Sequence, residues 1–202
     1  MVQVKPKQEA AKFSLDPSIG MIGAILFFVL LFSLSEHDIQ GYEKFRKCHS
    51  NCVNGICHAI GMPMAVSGVF MIVRAASDSA QFTRVIQTLV VTLYLVLYLQ
   101  YEKDPISPWL FYILYLGILE FLLSQKIYKN EKMNRQKFLI LGAALVAFNV
   151  GALETIGHGL FEHHHSYVLE FFNSVFHTPL YGINSVLLSS ELRGPRDDHV
   201  CW

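Results

Sequence analysis

Long, largely uncharged apolar runs alternate along the chain with short polar segments. The first run is Ile19–Leu34, and it is followed by Ile60–Val73, Val85–Tyr101, Trp109–Leu123, Phe138–Leu153 and Tyr167–Leu188. The runs are 14 to 22 residues long, against about 20 helical residues needed to cross a hydrocarbon core. None alternates with period two over its length, which argues against strands and for helices. Too little polar chain remains between the runs to cover a soluble core. The pattern predicts an all-α, multi-pass transmembrane helical bundle of about five to six apolar helices. A compact soluble helical bundle is the alternative, and the shortest runs would also suit buried or re-entrant helices.

Composition sharpens this reading. Hydrophobic residues make up 52% of the 202, and charged residues only 16%, where a soluble domain carries about 25%. The 16 basic and 16 acidic residues cancel. A disordered chain, a collagen and a coiled coil are excluded. A nucleic-acid partner is not expected, because no net basic face is present to displace counterions. Lys5, Lys7 and Lys12 precede the first run, but no small-residue cleavage pattern follows Leu34. The run therefore reads as a retained helix or signal anchor.

The charges are segregated along the chain. If all six runs cross, the tails and the 74–84 and 124–137 loops share one face with 12 of the 16 basic residues. The excess predicts that both tails are cytosolic. Segments 35–59 and 154–166 then meet at the opposite face, and together they hold seven of the nine histidines.

Two clusters in those segments carry candidate chemistry. In the first, Asn54 and His58 stand four apart, on one helical face. His49 lies nine residues before His58, about 180° around a straight helix, so the two can share a ligand only if the chain bends. Asn51 and Gly55 are the expected bend, and Pro63 suits the start of a new helix. In the second cluster Glu154, His158 and Glu162 form an i, i+4, i+8 stripe, with His165 further along. Ionisable residues beside an apolar run are costly in a membrane and usually functional.

Imidazole with carboxylate is the ligand set of non-haem Fe(II) sites, and it also suits catalytic zinc. His49, His58, His158 and Glu162 supply that set with a spare member. The plainer alternative is a group of interfacial histidines hydrogen-bonded to neighbouring helices. His163, His164 and His165 point in three directions on a helix and cannot all join one site; His37, His177 and His199 read as structural or solvent-facing. Cys48, Cys52 and Cys57 lack the paired C-x-x-C spacing of structural zinc sites. A Cys48–Cys52 disulfide and simple packing both remain open. Phosphate-cradle, serine-hydrolase and zincin signatures are absent from the sequence.

Taken together the clusters resemble a known family. His49, Asn54, His58, Gly61 and Pro63 meet the pattern H-x4-N-x3-H-x2-G-x-P. Gly157, His158, Gly159, Phe161 and Glu162 meet G-H-G-x-F-E, and a T-P-L-Y step follows at Thr178–Tyr181. These motifs, in this order and between hydrophobic helices, resemble the endoplasmic-reticulum 2-hydroxy-fatty-acid dioxygenase family of phytosphingosine breakdown. The resemblance spans about residues 42–190. It implies residues 1–41 as a tail plus an additional apolar helix, 42–190 as a membrane-embedded dioxygenase-like domain, and 191–202 as a polar C-terminal tail.

What the resemblance implies is Fe2+-dependent α-oxidation. A long-chain 2-hydroxy fatty acid and dioxygen would yield a fatty acid one carbon shorter and CO2, in a multi-pass protein of the endoplasmic-reticulum membrane. His49, His58 and His158 match the family's proposed iron ligands. Asn54 and Glu162 match its other polar motif positions and are the expected catalytic residues, with Glu162 a fourth ligand or a partner orienting a histidine. Two positions depart from the family. Cys48 stands where a tyrosine is usual, and His163–His165 stand where basic residues and a proline are usual; both bear on substrate preference. The rival readings are a non-catalytic lipid-binding or scaffolding membrane protein, and a transporter with a histidine proton relay. No inverted repeat supports the transporter.

Overall fold

A computed structural model describes residues 16–35, 38–49, 51–102, 105–124, 135–162 and 171–187, and among them the only regular secondary structure is helical. The helices are α1 (Pro17–Leu34), α2 (Ile39–Cys48), α3 (Cys52–Ser77), α4 (Ala80–Tyr101), α5 (Ile106–Ser124), α6 (Arg135–Phe148) and α7 (Phe171–Leu187). Helix α6 continues as wider π-helical turns over Asn149–Leu153 and Thr155–Glu162. Every apolar run of the sequence falls largely within one of these helices.

Local signals explain where several helices start. Asp16, Asp38, Asn51 and Ser79 are N-caps whose side chains accept from backbone N–H groups of Ser18, Gly41, Val53 and Phe82. Each satisfies a donor that the first helical turn leaves without a partner. At the other end of α3, Asp78 takes the left-handed conformation with φ of 49° and closes the helix. The Arg135 guanidinium, at the start of α6, donates to the Ala75 carbonyl and, at 2.9 Å, to that of Ala76. A cation thus meets the negative end of the α3 dipole.

One element was not anticipated, and one expectation needs correction. Helix α2 lies in the segment between the first two apolar runs. Its Tyr42 and Phe45, with His49 just beyond, share one buried stripe at i, i+3 and i+7. Pro63 does not begin a helix. It lies inside α3, where its missing N–H leaves a gap that a helix packed among neighbours tolerates.

Among the described residues, four helices are long and apolar enough to cross a membrane: Pro17–Leu34, Val53–Ser77, Ala80–Gln100 and the continuous Arg135–Leu160. The apolar stretch of α5, Ile106–Ile118, is shorter. Large apolar residues such as Ile19, Ile22, Leu89, Ile113 and Ile140 are exposed on the bundle surface, as expected where lipid is the solvent. Association in lipid depends on close packing rather than on water exclusion. The α3–α6 crossing shows it: a Cβ on Gly68 would meet the Gly142 carbonyl oxygen at 2.6 Å, and one on Gly142 would meet that of Gly68 at 2.6 Å.

Helix α7 runs through the centre. An unbroken stretch from Phe176 to Asn184 is buried, and α7 packs against α1, α2, α3 and α5. Pro179 sits inside it and cannot donate to the carbonyl four residues earlier. That carbonyl, on Val175, accepts from the Tyr94 hydroxyl at 3.3 Å, and the Tyr98 hydroxyl donates to the next one, on Phe176. These tyrosines join Phe28, Phe32, Phe70 and Phe111 in one aromatic core. Helix α1 is therefore built into the same core as the motif-bearing helices: Phe28 stacks on Phe70, and Phe32 meets Tyr94 and Phe176 edge-on.

Candidate metal centre

Three histidines from three elements converge at one end of the bundle. His49 follows α2, His58 lies two turns into α3, and His158 lies in the π-helical continuation of α6. Their ring centroids are 5.1 Å (His49–His58), 4.7 Å (His49–His158) and 5.3 Å (His58–His158) apart. One nitrogen from each lies within 4.8 Å of the others, and all three residues are buried. Two imidazoles bound to one ion at about 2.1 Å stand at most about 4.2 Å apart. The observed ceiling is within about half an ångström of that separation, so the triad can hold a metal ion.

The change of direction that the sequence required falls between the end of α2 and the start of α3. Asn51 contributes as the α3 N-cap. Gly55 is not part of the bend but lies within α3, where a Cβ would collide with Ser185 of α7 at 2.7 Å. The π-helical turns around His158 preserve the Glu154–His158 pair of the expected stripe, because side chains four apart remain neighbours on the wider helix. π-Helical turns often mark functional sites.

Each ring is oriented from outside the cluster. His49 Nδ1 lies 2.7 Å from the Phe45 carbonyl oxygen, an acceptor, so Nδ1 carries the proton and Nε2 keeps its lone pair. The Phe45 ring stacks on His49 with centroids 3.8 Å apart, and Tyr181 donates to the His49 carbonyl. His58 Nδ1 lies 3.1 Å from Glu154 Oε1, and Glu154 Oε2 lies 3.4 Å from His158 Nε2. One carboxylate thus spans two of the three rings, the arrangement that fixes tautomer and raises ligand basicity around metals. Burial, with the neighbouring His58 and His158, holds His49 well below its ordinary pKa, so it is neutral and able to ligate.

The decisive feature is what these groups lack. His49 Nε2 and His58 Nε2 are buried and have no hydrogen-bond partner among the described residues. A buried polar atom normally has one. A metal ion held by the triad would satisfy both nitrogens at once.

Asn54 is fully buried one turn before His58 and packs over Gly157, whose missing side chain admits it; both of its amide atoms also lack partners. It therefore borders the triad, next to His158. The backbone of Glu162 ends the π-helical stretch, while its side chain lies outside the described residues, as do His37, His163–His165 and His199. The carboxylate found at the histidines is Glu154, part of the sequence stripe but not singled out there. Tyr181, the last residue of the T-P-L-Y step, and Phe45 were not anticipated as site residues either. A helical reading of 39–48 would have put Phe45 beside His49. His177 is structural, buried against Tyr42, Phe45 and Phe176. Cys57 is a free thiol, and the side chains of Cys48 and Cys52 lie outside the described residues.

No family model, no curated protein and no solved structure gives a significant match to the chain. The geometry and the motifs carry the functional reading.

Proposed function

We propose that the protein is a non-haem iron dioxygenase that shortens long-chain 2-hydroxy fatty acids by one carbon. The observation that carries this reading is the convergence of three buried imidazoles, with one carboxylate spanning two of them. The motifs around His49, His58 and His158, which resemble the endoplasmic-reticulum 2-hydroxy-fatty-acid dioxygenase family, supply the substrate and the membrane.

In this reading His49, His58 and His158 hold Fe2+. The ion, when bound, supplies activation of dioxygen. Glu154 accepts the Nδ1 proton of His58 and keeps that ring's Nε2 directed inward. The Phe45 carbonyl does the same for His49. Asn54, unpartnered beside His158, is placed to hydrogen-bond a substrate oxygen, and Glu162 keeps the catalytic part its motif position implies. The surrounding helices exclude bulk water. The overall change balances without a further reductant: R–CH(OH)–COOH and O2 give R–COOH, CO2 and H2O. The protein is read as multi-pass in the endoplasmic-reticulum membrane, with cytosolic tails.

The test is anaerobic purification with ferrous iron, metal analysis, and an assay of dioxygen uptake and chain shortening on 2-hydroxypalmitate. Stoichiometric iron and a product one carbon shorter are expected, with both lost in His58→Ala and His158→Ala. Full activity in both variants would overturn the reading. A folded protein with neither metal nor dioxygen uptake would point to a non-catalytic lipid-binding protein.

A further inference from the structure

An apolar cavity of about 140 Å³ lies inside the bundle, walled by α1, α3, α4, α5, α6 and α7. Most of its surface is aliphatic or aromatic, including Val66, Phe70 and Phe111. Its few polar groups include Glu154, Asn149 and Thr178. Glu154 is the carboxylate that spans His58 and His158, so the cavity borders the histidine cluster. Asn149 Oδ1 and Thr178 Oγ1 are buried and have no hydrogen-bond partner among the described residues. An apolar chamber with unpartnered polar atoms beside the histidines suits a molecule with an alkyl tail and a hydroxylated head.

A second, more open apolar groove of about 370 Å³ lies on the outside between α1 and α4. Ile25, Ser33, Leu89 and Leu93 line it, and Phe28 and Val90 line both it and the inner cavity. These two side chains therefore separate the interior from the lipid-facing surface. An alkyl chain in a bilayer would reach the inner cavity along this seam without crossing water.

We propose that the inner cavity seats the head-proximal part of the alkyl tail of a single-chain hydroxylated lipid, which enters sideways from the bilayer between α1 and α4, past Phe28 and Val90, with the rest of the tail in the outer groove. The inference deepens the functional reading and rests on it for the head group, which meets Asn149 and Thr178 beside the histidine centre. Helix α1, expected to be an addition to the motif-bearing domain, becomes one side of the entrance.

The test does not depend on turnover. Full-length protein in detergent micelles is incubated with a palmitate analogue carrying a diazirine a few carbons from the carboxyl group, irradiated, and digested for peptide mapping. Label is expected on Phe70 or Phe111, each only 2% exposed and out of reach of an external chain. Label confined to surface residues such as Ile113 and Ile140 would overturn the proposal. Val66→Trp, which fills the cavity, should cut interior labelling roughly tenfold, the effect of excluding about two methylenes from burial. Val69→Trp, also on the lining, repeats the test if that variant does not fold. Ile140→Trp, on the outer face of α6, should leave labelling unchanged.

Ser33→Trp obstructs only the outer groove. It should slow the approach to full labelling several-fold; an unchanged rate would refute the lateral entrance. The two readings fail separately. Interior labelling without dioxygen uptake removes the oxidation chemistry and keeps the lipid site. Oxidation without interior labelling removes the cavity assignment and keeps the enzyme.

Discussion

Two buried regions of this bundle treat their polar atoms in opposite ways. In the aromatic core, the hydroxyls of Tyr94 and Tyr98 each find a backbone carbonyl of α7, and one of those carbonyls is free because Pro179 cannot donate to it. At the histidine end, His49 Nε2, His58 Nε2 and both amide atoms of Asn54 are buried with no partner among the described residues. The outer nitrogens of the same two histidines are held by the Phe45 carbonyl and by Glu154. Burial alone therefore does not account for the difference. The core tyrosine hydroxyls are satisfied as folded, whereas the histidine end is oriented on its outside and open on its inside, which marks a place built for a ligand.

The largest effect that would break this contrast is removal of a ligand. His58→Ala should lower metal affinity more than about a hundredfold, beyond the 10- to 100-fold typical of losing a residue that only orients a ligand. Metal content per folded molecule checks it, and retention of metal would place the site elsewhere. Glu154→Gln comes next. It keeps the shape but loses the charge, and an amide offers only one acceptor to two rings. An affinity loss of about 10- to 100-fold is expected in a chelator competition.

A smaller effect concerns pH. His49 has its pKa lowered in the folded protein, so the unfolded chain takes up the proton first as pH falls. Its contribution to stability is full above the ordinary histidine value of about 6.5 and declines below it. The slope is at most about 1.4 kcal/mol per pH unit for one group. Unfolding midpoints of metal-free protein between pH 7.5 and 5.5 should follow that decline, and His49→Gln should flatten it. The smallest effect belongs to the aromatic core. Tyr98→Phe removes the hydroxyl that donates to the Phe176 carbonyl and should cost about 1 kcal/mol, with metal binding per folded molecule unchanged. A loss of metal in this variant would show that the two regions are not separable.

Much of the site was legible because ligand spacing is a local property. Asn54 and His58 at i, i+4 share a face on any helix, and the Glu154–His158 pair survives even where the helix widens. Glu154 was visible in the stripe, yet nothing local distinguished it from Glu162, because its role depends on reaching His58 across to another helix. Helix α2 was missed for a related reason. Ten residues with charges between Tyr42 and Phe45 look polar until α7 is there to cover the aromatic face. Pro63 reads as a helix start by its intrinsic chemistry, but it lies inside α3, as Pro179 lies inside α7, where Tyr94 donates to the carbonyl that Pro179 leaves without its helical donor.

By itself the sequence determined the helical class, the apolar lengths and the identity of the three histidines, since all of these follow from short-range periodicity and residue chemistry. Tertiary structure decided that His49 turns back toward His58, that Glu154 spans two rings, and that α1 closes one side of an apolar cavity. Those depend on which helices touch, and helix contact in lipid is set by close steric fit such as Gly68 against Gly142, which no hydrophobic pattern encodes.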